Sequence, residues 1–276
     1  MNRNIPTIGV FDSGFGGLTV LRSLLSLVPS ANYVYVGDTA RLPYGSKSRE
    51  TIARYALSSA HFLAEKGADL LVIACNTASA LALDDIKADM PIPVVGVIEP
   101  GAEAALHTSQ GSKPHVLVLA TAATTQSGAY TRALHALGLR ATEKACPLLV
   151  PLVEEGWLAE PAQAAVTLEV LHIYLLEALA QAPDASILLL GCTHYPLLKP
   201  LIEATLRNLH HPMRIIDSAE ATAGAVAALL PRATAAPDVS PECQFYATDS
   251  VDKFQRLGSV FLGRPLHQVH LLDLGG

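Results

Sequence analysis

Two cysteines lie directly after apolar segments, and both could do acid–base chemistry. Cys75 follows the segment Leu70–Ala74, and Cys192 follows Ser186–Gly191. Segments that are apolar on both faces are typical of parallel strands covered by helices on both sides. In open α/β sheets, ligands bind beyond the carboxyl ends of the strands. The two thiols are therefore predicted to lie where such a sheet performs chemistry.

A pair of thiols suits proton transfer at carbon. The Cα–H group of an amino acid is a very weak acid, so an enzyme without a cofactor needs a base on one face of the carbon and an acid on the other. Thiolate and thiol can fill these roles because the pKa of cysteine is tuned by its surroundings. Asp12 is a candidate to manage the proton of one cysteine, and His194 that of the other.

A glycine-rich turn, Asp12–Gly17, joins the strand-like segment Thr7–Phe11 to a segment with helical spacing. The dinucleotide-binding pattern fails because Thr19 stands where its third glycine would be, and the phosphate-binding Gly-Lys-Ser/Thr sequence is missing. The free N–H groups of such a helix start could still receive a small anion. The alternative is that Asp12 or Ser13 merely caps the helix.

Composition excludes several classes of function. The chain has 276 residues, 50% hydrophobic and 16% charged, with a net charge of −6 and no long basic run. Nucleic acid binding is disfavoured, because phosphate contacts need clustered Lys and Arg. We expect no membrane segment, because Gly, Pro or charge interrupts each apolar run, and no signal peptide, so a cytoplasmic location is predicted.

The four cysteines show no zinc-ligand spacing, and no metal site is predicted. In the cytoplasm they are expected to be free thiols. For a cysteine considered alone, the ordinary interpretation is a small buried hydrophobic residue. That interpretation is retained for Cys146 and Cys243.

Strands alternate with helical segments along the whole chain, which predicts an α/β fold with mostly parallel sheets. Besides the elements already named, the pattern predicts a strand at each of 33–36, 94–97, 115–119, 140–145, 213–216, 245–247 and 266–272. Helices are predicted over 18–27, 48–66, 78–88, 195–209 and 219–230. Three more are predicted with one bound each: from the 121–125 turn to residue 137, after residue 157, and ending at residue 261. A surface loop is predicted at 233–241. The chain enters a second lobe near residue 98.

Two further sites have two interpretations each. The hydroxyl-rich turn after the 115–119 strand contains Thr121 and Thr124, which could bind a ligand or cap a helix. Glu154 and Glu155 precede a long helix, where a carboxylate could simply favour the helix dipole. The loop Gly37–Gly45 is long for a strand-to-helix connection, and long loops are often functional.

Three blocks of this sequence together resemble the signature blocks of the glutamate racemase family. They are Gly9–Leu18, Ala74–Ser79 and Gly191–Pro196. Gly37-Asp38 through Pro43-Tyr44-Gly45 and Val97–Gly101 also fit the family. The blocks span nearly the whole chain in the family's order, which is far more specific than any single cysteine.

The resemblance implies interconversion of L- and D-glutamate without a cofactor, supplying D-glutamate for peptidoglycan, by a homodimeric enzyme. It implies two similar α/β lobes, residues 1–98 with 210–276 and residues 99–209, and an active site in the cleft between them. Cys75 would act on D-glutamate and Cys192 on L-glutamate, supported by Asp12, His194 and Glu154. The implied substrate-binding residues are Asp12, Ser13, Pro43, Tyr44, Gly45, Asn76, Thr77, Thr121, Thr124, Thr193 and His194.

The chain departs from the family pattern at two places. Phe15 stands where many members have a smaller aliphatic residue, and Ala122-Ala123 stand where a bulkier or acidic residue is usual. The second departure weakens the assignment of Thr121 and Thr124.

Three alternatives remain open. A racemase for aspartate or a related amino acid would have the same architecture. A cysteine hydrolase or amidotransferase would use one thiol with His194, although side chains only two residues apart are expected to diverge. A binding or regulatory protein would bind glutamate without converting it, but the second cysteine argues against this.

Overall fold

The computed structural model describes residues 5–109, 113–230 and 241–275. The chain forms two compact units, residues 1–97 with 219–276 and residues 98–218. The sequence-based boundary assigned residues 210–218 to the first lobe instead. The difference arises because the strand Arg214–Asp217 pairs with Ala185–Gly191 in the second unit. The chain therefore returns to the first unit only after Ser218.

The first unit is built on a six-stranded parallel sheet with the order β10-β9-β2-β1-β3-β4. Its strands are β1 Thr7–Asp12, β2 Asn32–Gly37, β3 Leu70–Ile73, β4 Val94–Val95, β9 Cys243–Ala247 and β10 Val269–Leu271. All four residues of β3 are buried. This confirms the prediction of a parallel strand covered on both faces.

Among the described residues, five α-helices belong to the first unit: α1 Leu18–Leu27, α2 Arg49–Glu65, α3 Asn76–Asp89, α10 Ser218–Leu229 and α11 Val251–Leu262. Ser48 caps α2 as predicted, since its Oγ accepts a hydrogen bond from the backbone N–H of Thr51 at 3.3 Å. Helix α3 begins two residues earlier than predicted, directly after Cys75. The predicted loop at 233–241 lies outside the described residues except for Pro241.

The second unit contains a four-stranded parallel sheet with the order β6-β5-β7-β8. Its strands are β5 His115–Ala120, β6 Arg140–Ala145, β7 Ala185–Gly191 and β8 Arg214–Asp217. Helices α4 Ile98–Thr108, α5 Ala122–Ser127, α6 Ala129–Ala136, α7 Leu149–Glu154, α8 Pro161–Gln181 and α9 Lys199–Asn208 accompany it. Both units thus have the predicted architecture of a parallel sheet flanked by helices.

The helices of the second unit differ from the prediction in several places, and α4 was not predicted at all. The single helix expected up to residue 137 is two helices, because Gly128 has a φ of +64° and interrupts the helical backbone between α5 and α6. The short helix α7, which contains Pro151, was not predicted. Proline is tolerated in the first turn of a helix, where its missing N–H has no intrahelical partner.

Helix α8 contradicts the expectation that no segment has the length and composition of a membrane span. By these two criteria alone, its 21 residues qualify. One face of α8 is nevertheless buried in the second unit, through Thr167, Leu171, Leu175 and Ala178. Helix α8 meets the two criteria because its two glutamates are spread over a long, otherwise uncharged sequence. The expectation of no membrane segment stays a prediction.

Candidate active site

Cys75 lies between the carboxyl end of β3 and the first turn of α3. Its side chain is buried, and its thiol donates a hydrogen bond to Ser13 Oγ at 3.3 Å. Cys75 Sγ also accepts a hydrogen bond from the backbone N–H of Ala78 at 3.4 Å, which makes Cys75 the N-cap of α3. The thiol is thus held in one orientation by groups from two different segments.

Asp12 ends β1, the strand beside β3, and its carboxylate is 1% exposed. Its Oδ2 accepts a hydrogen bond from the backbone N–H of Gly14 at 2.9 Å. Gly17 permits this packing, because a Cβ there would lie 2.5 Å from the Cβ of Asp12. Asp12 therefore caps the turn at Gly14, whereas the N-cap of α1 is Gly17. The interpretation of Asp12 as a helix cap is therefore wrong.

Burial and the nearby negative charge of Asp12 raise the pKa of the Cys75 thiol to about 11. The hydrogen bonds to Ser13 and Ala78 act in the opposite direction but are outweighed. Cys75 is therefore a protonated thiol at neutral pH. The same Asp12 carboxylate that disfavours the thiolate is also a nearby group that could accept the thiol proton.

Residues Asn76 and Thr77 form the first turn of α3, directly after Cys75, and both are buried. Tyr44 shares the same apolar cluster as Cys75, and its ring lies 6.2 Å from that of Phe11. Of its neighbours in the loop, Pro43 is exposed and Gly45 is half-buried. Six predicted site residues around Cys75 therefore belong to the same unit: Ser13, Pro43, Tyr44, Gly45, Asn76 and Thr77.

Asp38 organises the loop that carries Tyr44, and sequence reasoning did not assign it a role. Its fully buried carboxylate accepts hydrogen bonds from the Tyr44 hydroxyl at 2.5 Å and from Thr248 Oγ1 at 2.9 Å. Burial and the charge of Asp38 raise the pKa of Tyr44. The Gly37-Asp38 pair could have drawn attention to Asp38, because it is one of the blocks that fit the family. Nothing in the sequence pointed to Thr248, which is 210 positions away.

Cys192 occupies the corresponding position in the second unit, directly after β7, and it is also buried. Its Sγ lies 4.0 Å from Nδ1 of His194, and Thr193 Oγ1 lies 3.4 Å from the same nitrogen. Nε2 of His194 pairs with Glu154 Oε1 at 3.1 Å. The expectation that the side chains of Cys192 and His194 diverge is therefore wrong.

Glu154 is the last residue of α7, not a first-turn residue of the long helix α8. A carboxylate is unfavourable at the C-terminal end of a helix, where the dipole is negative. Here Nε2 of His194 gives this carboxylate a hydrogen-bonding partner. Because the carboxylate faces Nε2, a neutral His194 carries its proton on that nitrogen, and the lone pair of Nδ1 faces Cys192.

Thr121 and Thr124 belong to the turn after β5, in the second unit. Thr121 caps α5, because its Oγ1 accepts a hydrogen bond from the backbone N–H of Thr124 at 3.4 Å. The two hydroxyl oxygens are 2.9 Å apart. The capping role is thus observed for Thr121, and the binding role of the pair stays a prediction.

The remaining two cysteines have different surroundings. Cys146 is fully buried with its Sγ 3.6 Å from the carbonyl oxygen of Lys144, and burial raises its pKa to about 12. Cys243 is half-buried in β9, 3.8 Å from an Arg264 nitrogen. Within residues 5–109, 113–230 and 241–275, no cluster of three or more His, Cys, Asp or Glu side chains is arranged to hold a metal ion.

Comparison with known proteins identifies the family. The sequence pattern of the family described as Asp/Glu/Hydantoin racemase matches residues 8–226. The chain belongs to this racemase family. It is an amino-acid racemase, and hence an isomerase.

Relatives within the family match the chain over its full length. A glutamate racemase from Koribacter versatilis (strain Ellin345) is 50% identical, with 100% of each chain covered. The structure of glutamate racemase from Bacillus anthracis has a TM-score of 0.87 at 36% identity, with 98% of both chains covered. That of Francisella tularensis, in complex with D-glutamate, has a TM-score of 0.84 at 33% identity and the same coverage. These family members share the fold of two parallel α/β units.

Proposed function

We propose that this racemase interconverts L- and D-glutamate without a cofactor, using Cys75 and Cys192 as its two acid–base groups. One observation carries the proposal. Each unit presents a buried thiol directly after an apolar strand of its parallel sheet, beside a group able to exchange its proton. The full-length similarity to glutamate racemases supports glutamate as the substrate.

In the L-to-D direction, Cys192 would begin as the thiolate. The lone pair of His194 Nδ1 accepts its proton, and Glu154 stabilises the imidazolium that forms. The Cys192 thiolate then removes the Cα proton of L-glutamate. Cys75 donates its proton to the opposite face of Cα, which yields D-glutamate and a Cys75 thiolate.

The raised pKa of Cys75 supports its role as the proton donor in this direction, because its resting form is the thiol. In the reverse direction Cys75 must be a thiolate, and Asp12 is the nearby acceptor for its proton. The substrate ammonium group, as a nearby positive charge, would stabilise the Cys75 thiolate that forms. General acid–base catalysis accelerates a reaction by only about 10²–10⁴-fold. Positioning of the substrate and a preorganised, water-poor site must therefore supply the remaining rate acceleration.

The substrate carboxylates would be bound by N–H groups at helix starts and by hydroxyl groups. Asn76 and Thr77 offer the first turn of α3, and Ser13 and Thr193 add hydroxyls beside the two thiols. Tyr44 and its neighbours Pro43 and Gly45, held by Asp38, complete the binding residues of the first unit, and Thr121 and Thr124 belong to the second. We propose that the enzyme is a cytoplasmic homodimer supplying D-glutamate for peptidoglycan.

The proposed substrate and cofactor independence are tested together by circular dichroism. After exhaustive dialysis against a chelator and pretreatment with hydroxylamine, the enzyme is incubated with L-glutamate. We expect the signal to decay to zero, because an equilibrium mixture of enantiomers is optically inactive. L-Aspartate and other L-amino acids, each supplied alone, are the controls for substrate choice.

Two results would contradict the proposal. Faster racemisation of L-aspartate than of L-glutamate would favour the alternative racemase. Activity lost on dialysis and restored by pyridoxal phosphate or a metal ion would refute a reaction carried by two thiols alone. The proximity of Cys192 and His194 also makes the hydrolase alternative worth testing, and an acyl-enzyme trapped by hydroxylamine would support it.

A further inference from the structure

We propose that two copies of this chain associate through the exposed face of α8, with the two helices antiparallel and the twofold axis at the height of residue 171. This inference rests on the proposed homodimer and assigns its contact surface. The surface is a row of exposed side chains along α8, apolar except for Glu169, and is here called the α8 stripe; it is formed by Ala162, Val166, Glu169, Ile173, Leu176 and Ala180.

Large apolar side chains in the α8 stripe are unusually accessible. Val166, Ile173 and Leu176 are 45%, 46% and 47% exposed, although they lie on one helix. The opposite face of α8 is the one buried in the second unit. Large exposed apolar side chains clustered on one face of a helix mark a candidate site of interaction.

The spacing of the α8 stripe is that of a helix-pairing seam. Its members follow one another at alternating intervals of four and three residues, the a and d positions of a heptad repeat. A second helix crossing at about 20° packs its own side chains between such positions. The partner that fits the stripe is therefore another helix.

The α8 stripe is nearly the same when read from either end. Alanines are outermost, Val166 and Leu176 come next, and Glu169 and Ile173 are innermost on either side of residue 171. In an antiparallel pair centred there, Val166 of one copy faces Leu176 of the other, and Glu169 faces Ile173. A twofold interface requires this kind of self-complementarity, which points to a second copy of the chain.

Charge supports a protein partner over a membrane surface. Helix α8 contains two glutamates and no lysine or arginine, whereas helices that lie on anionic lipid are rich in basic residues. Glu177, at the edge of the stripe, pairs with Lys144. Glu169 is then the carboxylate within the seam, and in the proposed pair it lies beside His172 of the other copy.

A further exposed apolar residue lies on a segment that contacts α8. Leu148 is 53% exposed, and its backbone N–H donates a hydrogen bond to the Tyr174 hydroxyl of α8 at 3.3 Å. The seam itself is about 27 Å long, from the helical rise per residue. A standard interface buries roughly 800 Å² per partner, so the proposed dimer needs contacts beyond the α8 stripe, for which Leu148 is a candidate.

Two substitutions at one position test the surface and the register. In the antiparallel pair, position 173 faces Glu169, so Ile173→Lys creates two attractive charge pairs and Ile173→Glu creates two repulsive ones. Sedimentation equilibrium should show a dimer for the parent chain and Ile173→Lys. For Ile173→Glu, the dimer dissociation constant should rise by about 100-fold or more. Adding Glu169→Lys to Ile173→Glu should restore the dimer.

The control is Val260→Glu, which places the same charge at a 57% exposed apolar residue of α11 and should leave the dimer intact. If Ile173→Glu unfolds, as judged by circular dichroism, Val166→Asp replaces it.

A monomeric parent, dimeric Ile173→Glu, or loss of the dimer in both Ile173 variants would overturn the proposal. So would binding of the parent to phosphatidylglycerol vesicles that Ile173→Glu abolishes. Racemisation is measured separately, so failure of the interface is distinguishable from failure of the proposed function.

Discussion

Replacing either Cys75 or Cys192 by alanine is expected to abolish racemisation in both directions, by about 10⁴-fold or more, the upper end of what a single general acid or base contributes. The reason is that each direction needs one thiolate to remove a proton and one thiol to deliver another. Alanine can do neither, and no second group at the same face takes its place in the proposed mechanism. Initial rates from L-glutamate and from D-glutamate, measured by circular dichroism, test this.

The other two cysteines provide the matched controls. Cys146→Ala and Cys243→Ala should retain racemisation, and any effect should be on stability. Cys146→Ala is the more demanding control, because its side chain is fully buried and the substitution removes packed volume. An inactive but folded Cys146→Ala variant, or an active Cys192→Ala variant, would show that the second thiol is wrongly assigned.

Replacing Asp12 by asparagine is expected to slow racemisation by about 10²–10⁴-fold while making Cys75 more acidic. A cysteine that acted as a simple thiolate nucleophile would become more reactive in this variant, whereas racemisation is expected to slow. The Asp12 charge raises the pKa of Cys75, so its removal should lower that pKa from about 11. A larger fraction of Cys75 is then thiolate at a given pH, but the group that would accept and return its proton is lost.

Two measurements separate these effects. The pH dependence of Cys75 alkylation by iodoacetamide, followed by peptide mass spectrometry, should shift to lower pH in Asp12→Asn, and the racemisation rate should fall. Asp184→Asn is the control, because Asp184 is an exposed aspartate that pairs with His115 and Arg140. Faster alkylation together with unchanged racemisation would remove Asp12 from the proposed mechanism.

The positions of the two thiols followed from local sequence. Strand β3 is apolar along its whole length, so it had to be a covered parallel strand, and the residue after it had to lie at the carboxyl end of the sheet. The same reasoning applied to β7 and Cys192. Short-range capping was also predictable, as Ser48 at the start of α2 illustrates.

The contacts that orient the site residues were not predictable from local pattern. Glu154 and His194 are 40 positions apart, and Asp38 and Thr248 are 210 apart, so no periodicity connects them. Helix α7, which carries Glu154, was not predicted, and its six residues are too few to show a helical repeat of apolar positions. The boundary near residue 218 depended on whether β8 paired with β7, and strand pairing is a tertiary property.

The central claim is that different thiols remove and deliver the Cα proton, and hydrogen exchange in deuterium oxide tests it most directly. L-Glutamate is incubated with the enzyme in deuterium oxide, the reaction is stopped at low conversion, and Cα deuterium is measured in each enantiomer by mass spectrometry after chiral separation. Thiol protons exchange quickly with solvent, so the delivering thiol carries deuterium before catalysis begins. Early D-glutamate should be almost fully deuterated while unreacted L-glutamate keeps its protium, with the mirror result from D-glutamate. Substantial protium in the early product, beyond that of residual solvent, would show that one base serves both faces and would contradict the two-thiol mechanism.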